Sequence, residues 1–269
     1  MMRRTGPIAA MFALLACSAV WAPLAGCPPT PPPPPELVDD GADVGTRPIL
    51  IHIPGVGDLI LHEDGSTGGV RSSESANGQT WSNANVGELG PAFAPDAARD
   101  GQDVHVSYSH RLSGGLRWAA LEGGAWAVET ADPITNRLGL SAIAVSGDQP
   151  TIAYFSANAL GALTIANAKR LGPGSWETNE VEGLLPPFQV IWSARPRIAA
   201  GGGVTSIAYT VRHARPARGA SVNQVRLAQG SGASWTVHTI FDDLGIGGHL
   251  ADMERDALGT LHLLVYAAP

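Results

Sequence analysis

Short apolar runs recur along residues 47–269, and each run is bounded by Gly, Asp or Asn. All four tyrosines close one kind of run: Val106-Ser107-Tyr108, Ile152-Ala153-Tyr154, Ile207-Ala208-Tyr209 and Leu264-Val265-Tyr266. Leu59-Ile60-Leu61-His62 fills the same slot earlier, with His62 in place of tyrosine. Eleven residues before the slot stands Ile51, Ile143 or Ile198, with Ala97 and Arg255 in the two poorer copies. Some 18 to 26 residues after the first four slots comes a tryptophan, at 81, 126, 176 and 235. A fixed period of this kind marks a repeat architecture.

Each unit reads as four short strands, at 141–145, 151–155, 162–166 and 176–181 in the third copy. The second strand is apolar on both faces, as expected where sheets stack face to face. Asp100-Gly101, Gly147-Asp148, Gly201-Gly202-Gly203 and Asp256 to Gly259 separate the first two strands with hairpin chemistry, so these aspartates read as turn formers. No long stretch carries helical periodicity.

Four-stranded units of this length resemble β-propeller blades. The turn before each tryptophan (Asn77-Gly78-Gln79-Thr80-Trp81, Gly123-Gly124-Ala125-Trp126, Gly174-Ser175-Trp176, Gly232-Ala233-Ser234-Trp235) is similar to the Asp-box of sialidase-like propellers, without its aspartate. The resemblance implies an all-β propeller of four full blades, at about 47–90, 91–139, 140–193 and 194–248, and a partial fifth at 249–269. The ring is expected to be incomplete or open. Because the box is a structural turn in that family, it says little about activity.

Upstream of the repeats, Arg3 and Arg4 precede an almost wholly apolar stretch over 8–24, which ends in Leu24-Ala25-Gly26-Cys27. The run is about long enough to span a bilayer, but its form is that of a secretory signal. The last four residues resemble the lipobox of bacterial lipoprotein precursors. That resemblance implies cleavage after residue 26, lipidation of Cys27, and a membrane partner reached through two or more acyl chains. Pro28 stands where an aspartate often retains such proteins in the inner membrane, which points to the outer membrane. Residues 28–35 are seven prolines and one threonine, a stiff polyproline II spacer of roughly 25 Å. Residues 36–46 continue as an acidic linker.

Without residues 1–26 the chain holds 15 basic and 24 acidic residues, a formal charge of −9. This disfavours nucleic acid as a partner. With Cys27 lipidated and Cys17 removed, no thiol remains for a disulfide or a metal. The histidines lack metal-ligand spacing, and no HExxH, GxSxG or P-loop is present, so no cofactor and no catalytic residue is assigned.

The repeats differ in length at two places, 183–195 and 211–224. These belong to neighbouring units and to the same class of loop, so they should share a face. Phe188, Trp192, Arg212, His213, Arg215 and Arg218 lie there, outside the repeat pattern. Aromatics beside arginines suit an anionic glycan or an envelope protein partner, although a solvated insertion with Trp192 folded onto the blade is the plainer explanation, since isolated surface aromatics need no function. Trp118 aligns with Ile165 and Leu227 and reads as core. An envelope-anchored binding or scaffolding propeller is the leading expectation. A sialidase-like hydrolase is an alternative, but it needs a tyrosine outside the repeat slots. A degenerate paralogue without independent activity is the third.

Overall fold

The computed structural model describes residues 48–268, apart from 66–67, 88–91, 111–114, 134–139, 158–161, 185–187, 191–193, 216–219 and 243–246. Cys27, Trp192 and Arg218 lie outside the described residues. The described residues hold strands and turns and no helix.

Five antiparallel sheets follow one another along the chain. The first contains β1 (Ile49–Ile53), β2 (Gly57–Glu63), β3 (Val70–Ser75) and β4 (Ser82–Asn85). The second contains β5 (Ala92–Asp100), β6 (Asp103–His110), β7 (Gly115–Glu122) and β8 (Ala125–Asp132). The third runs β9 (Ser141–Ser146), β10 (Gln149–Ala157), β11 (Leu163–Gly172) and β12 (Ser175–Leu184). In the fourth, β13 (Phe188–Val190) joins β14 (Arg197–Gly201), β15 (Val204–Arg215), β16 (Ala220–Ser231) and β17 (Ser234–Phe241). The fifth is a hairpin of β18 (Gly247–Arg255) and β19 (Leu261–Ala268). Successive sheets stack face to face, with their first strands β1, β5, β9, β14 and β18 lying side by side. This is a β-propeller of four full blades and a two-stranded fifth. The strands run longer than the sequence pattern marks, because polar residues continue them beyond each apolar centre.

Alternation explains the core. In blade 3, Ile152 and Tyr154 pack on Leu116 and Trp118 of blade 2. Ala153 and Phe155, pointing the other way, pack on Ile207 and Tyr209 of blade 4. Leu59, Leu61, Val104, Val106 and Tyr108 fill the first interface. The fourth holds the smaller group Ala199, Ala208, Leu227 and Met253. A second strand buried on both faces is thus the link between neighbouring blades.

The turns follow their residue chemistry. Asn77 Oδ1 accepts from Gln79 N at 2.8 Å and Thr80 N at 2.9 Å, the turn-forming role expected of that box. Asp256 Oδ1 accepts from Leu258 N and Thr260 N in the last hairpin. Asp148 takes a left-handed φ of 60° in the β9–β10 turn, a conformation Asp tolerates better than most residues.

Two expectations need correction. Tyr108, Tyr154 and Tyr209 are buried as the repeat requires, but Tyr266 is 52% exposed and Leu264 beside it 62%. Among the described residues no sheet packs on the face of β19 that carries them. Leu50 on β1 is likewise 69% exposed, so both terminal blades present apolar side chains. The repeat tryptophans Trp81, Trp126, Trp176 and Trp235 are half-buried, not fully enclosed. Trp126 Nε1 donates to Ser72 Oγ of blade 1 and Trp176 Nε1 to Glu129 of blade 2, each reaching the preceding blade, while Trp235 Nε1 turns back to Gly232 O.

Candidate ligand-binding face

The segment 211–224, expected as a loop, is for the most part a strand extension. β15 and β16 are the longest strands, and their pairing continues from Val211↔Gln224 to Arg215↔Ala220. The other expanded segment contributes β13, whose register is Phe188↔His213, Gln189↔Arg212 and Val190↔Val211. The two segments that break the repeat are therefore joined by a backbone ladder. β14 pairs the first half of β15 and β13 the second, so one long strand carries both partners on one edge.

Adjacent residues on a strand leave it on opposite faces. Val211 is buried in the interface with blade 3, and His213, two residues on, shares its side. His213 Nδ1 lies 3.5 Å from the Gln224 amide. Thr210 Oγ1 accepts from Leu250 N of blade 5 at 3.1 Å, so the exposed Arg212 lies on the blade 5 side. Its cross-strand neighbour Asn223 bonds His249 Nε2 through Nδ2 at 2.9 Å. His249 stacks on Tyr266, with ring centroids 5.3 Å apart and planes 17° from parallel. Arg212, Asn223, His249 and Tyr266 thus form a connected basic and aromatic surface. The sequence pattern pointed to Arg212 but missed the other three, because Tyr266 belongs to the repeat and is exposed only where no sheet among the described residues covers it. Arg215 continues β15, and Phe188 is fixed by its register opposite His213.

Among the described residues, Arg170, Arg195, Arg197, Arg226 and Arg255 each brace one blade to another. Arg170 on β11 donates to both oxygens of Glu129 on β8, at 2.6 and 3.2 Å, and its guanidinium lies 4.3 Å from the Trp118 ring centroid. Trp176 Nε1 also donates to Glu129, at 2.8 Å. Burial alone would raise the Glu129 pKa, but these hydrogen bonds and the Arg170 charge outweigh it and hold the carboxyl below its ordinary range. Arg226 pairs with Glu182, which also accepts the Tyr209 hydroxyl. Tyr154 donates to Asp132 at 2.6 Å in the preceding interface. Burial, reinforced by the neighbouring carboxylate, pushes both phenols well above their usual pKa.

Near the axis, Arg195 donates to Asp96 Oδ1 at 2.5 Å and to Pro95 O at 2.7 Å, while Asp96 Oδ2 accepts from Ile143 N at 2.9 Å. One carboxylate on β5 thereby joins blade 2, the first strand of blade 3 and the entry to blade 4. A bulge between Phe93 and Asp96, with Ala94 at φ 57°, turns the strand there. Among the described residues no group of three or more His, Cys, Asp or Glu side chains could hold a metal ion.

No family model matches the chain, and no curated protein matches it in sequence. Solved structures with a similar trace include an endo-arabinase from Bacteroides thetaiotaomicron, at 11% identity and TM-score 0.46, covering 85% of this chain and 95% of that one. A thermostable family-43 glycoside hydrolase is 15% identical with TM-score 0.45 and 83% of each chain covered. A Bombyx mori GH32 beta-fructofuranosidase is 13% identical with TM-score 0.43, over 76% of this chain and 55% of that one. Likenesses this remote carry no argument about activity, so the propeller architecture rests on the strand order and blade stacking described above.

Proposed function

We propose that this chain is an exported lipoprotein, held to the outer membrane through Cys27, whose propeller binds an anionic glycan or envelope protein. The observation that carries the reading is the connected surface of Arg212, Asn223, His249 and Tyr266, beside the ladder between 188–190 and 211–213. A guanidinium next to an exposed ring supplies both a charge partner and a stacking platform. The lipobox and the proline spacer support display at a membrane surface.

The sialidase-like alternative has weaker support. Tyr209 and Glu182 have the right functional groups for a tyrosine nucleophile and its base. A nucleophilic phenol needs a lowered pKa and access to substrate, whereas this one is raised and fully buried between blades.

Two measurements test the proposal. Cys27→Ser should abolish incorporation of a clickable fatty acid and leave unprocessed precursor, and persistent label would sink the anchor. Full-length protein in detergent should bind anionic glycans on an array. Arg212→Ala should lower that binding about tenfold, the scale of one charge-assisted hydrogen bond, at an unchanged melting temperature. Equal binding by wild type and variant would remove Arg212 from the site.

A further inference from the structure

The interface between blades 2 and 3 and that between blades 3 and 4 differ at matched positions. Pairing registers set the correspondence, with Tyr108↔Arg117 in blade 2 and Tyr154↔Ala166 in blade 3. Counting from these pairs, His105, Trp118 and Ala120 of blade 2 correspond to Thr151, Asn167 and Lys169 of blade 3. On the facing wall, Arg170↔Trp176 of blade 3 corresponds to Gly230↔Trp235 of blade 4. In the first interface His105, Trp118, Arg170 and Trp176 stack and fill the layer. In the second, the corresponding side chains are those of Thr151, Asn167 and Trp235, with Gly230 in place of the guanidinium. Bulk is lost from both walls.

What remains is a half-open cleft of about 240 Å³, lined by Gln149, Thr151, Asn167, Lys169, Thr205 and Ser231 among others. Three features of it bear on what could fill it. Its described lining is mostly polar. Lys169 is the sole lysine in the chain and makes no ion pair among the described residues. Asn167 is only 3% exposed, and its Oδ1 is buried with no hydrogen-bond partner. A buried acceptor without a partner costs on the scale of a lost hydrogen bond, so a donor is wanted at this position.

From this hollow layer we infer a small-molecule site for a monosaccharide-sized polyol bearing one carboxylate, the hexuronate class. Lys169 supplies one positive charge, which matches a single carboxylate. Asn167 Oδ1 accepts a sugar hydroxyl, and the Thr151, Thr205 and Ser231 hydroxyls and the Gln149 amide offer the remaining partners. The cleft opens beside the β9–β10 and β14–β15 turns, so it is separate from the Arg212 surface and independent of it.

The test is calorimetric titration of the full-length protein in detergent with D-glucuronate, D-glucose and acetate, each to about 50 mM. A ligand of this size is expected at a Kd of about 1 mM. Glucuronate should bind at least about tenfold more tightly than glucose, and acetate should not bind measurably. Lys169→Met should erase the preference for glucuronate, since it removes one charge-assisted contact. Asn167→Leu should abolish binding and raise the melting temperature, because it replaces a lone acceptor with an apolar group. The titrations are made in the Arg212→Ala background, so that heat from the Arg212 surface is not counted. No heat with glucuronate, or an undiminished preference in Lys169→Met, would overturn the assignment. A lowered melting temperature in Asn167→Leu would give the amide a structural role and overturn it too.

Discussion

The same layer of the propeller is built in two ways a single blade apart. Between blades 2 and 3, Trp118 is 1% exposed, with His105 stacked 5.7 Å away and Trp176 edge-on at 5.9 Å. Between blades 3 and 4 the matched positions carry Thr151 and Asn167, and Trp235 bonds only back to Gly232 O of its own turn at 2.8 Å. Repeat proteins tolerate such differences because each unit contacts only its neighbours. Cohesion in one interface comes from aromatic burial with a charge clamp. In the other it comes from the apolar group of Phe155, Ile165, Ile207 and Tyr209 higher in the blade, with the Arg226–Glu182 pair beside it, and that leaves the lower layer open for other use.

The comparison is broken most severely by Trp118→Ala, which should cost about 3–5 kcal/mol, the usual scale for deleting a fully buried large aromatic. Trp235→Ala should cost only about 1–2 kcal/mol, since the ring is half-buried and its hydrogen bond is local. Chemical denaturation of the two variants decides this, and equal losses would mean the interfaces are energetically alike despite their packing.

Next in size is Glu129→Gln, expected to cost about 1–3 kcal/mol through weakened bonds from Arg170 and Trp176. Because the folded carboxyl is more acidic than an unfolded one, its contribution is complete above the ordinary pKa of about 4.3. It is lost as the pH falls through its own lower value. The variant should therefore show a flatter acid limb. His105 acts in a higher window. Burial holds its pKa below the ordinary value, so the fold prefers the neutral ring. Its contribution is whole above about pH 6.5 and declines below that, and His105→Phe should keep stability there. Melting curves across about pH 2 to 8 separate the two groups.

The smallest effect belongs to the open interface. Asn167→Leu should shift stability by about 1 kcal/mol or less, toward stabilisation. A loss of several kcal/mol would show that Asn167 supports the blades as Trp118 does.

Much of this organisation was legible in the chain. The tyrosine slot, filled by His62 in the first copy, marked the second strand of every blade. Trp118 was recognisable as core through its match to Leu227, although the pairing register sets it against Asn167 and not Ile165. The turn role of Asp256 followed from residue type alone. The extension of β15 and β16 was not legible. Arg212, His213 and Arg215 break the apolar alternation, and a strand that projects past the core pays for its ladder in backbone hydrogen bonds that leave no hydrophobic trace. The exposure of Tyr266 was hidden for a different reason. Its local sequence matches that of the buried tyrosines, and only the absence of a packed neighbour among the described residues separates them. The polar cleft required register. Thr151, Asn167 and Lys169 look like ordinary strand residues until the pairing of Tyr154 with Ala166 sets them against His105, Trp118 and Ala120.

Among the described residues the polar contacts of the fifth hairpin with the body are Arg197 to Ala251 O at 2.8 and 3.1 Å and to Asp252 at 3.2 Å, Arg255 to Ser206 Oγ at 2.9 Å, Leu250 N to Thr210 Oγ1, and Asn223 to His249 at 2.9 Å. The apolar cluster there, Met253 with Leu250, Leu261 and Leu263 against Ala199, Ala208 and Leu227, is smaller than those of the other interfaces. The energy needed to open this hairpin is therefore a fraction of that for the whole domain. Amide hydrogens of β19 should exchange with solvent deuterium orders of magnitude faster than those of β10, which is covered on both faces. The propeller then has a graded kinetic profile along its length, fastest at the sheet that carries His249 and Tyr266. A surface that recognises partners there can adjust its shape while blades 2 and 3 stay locked.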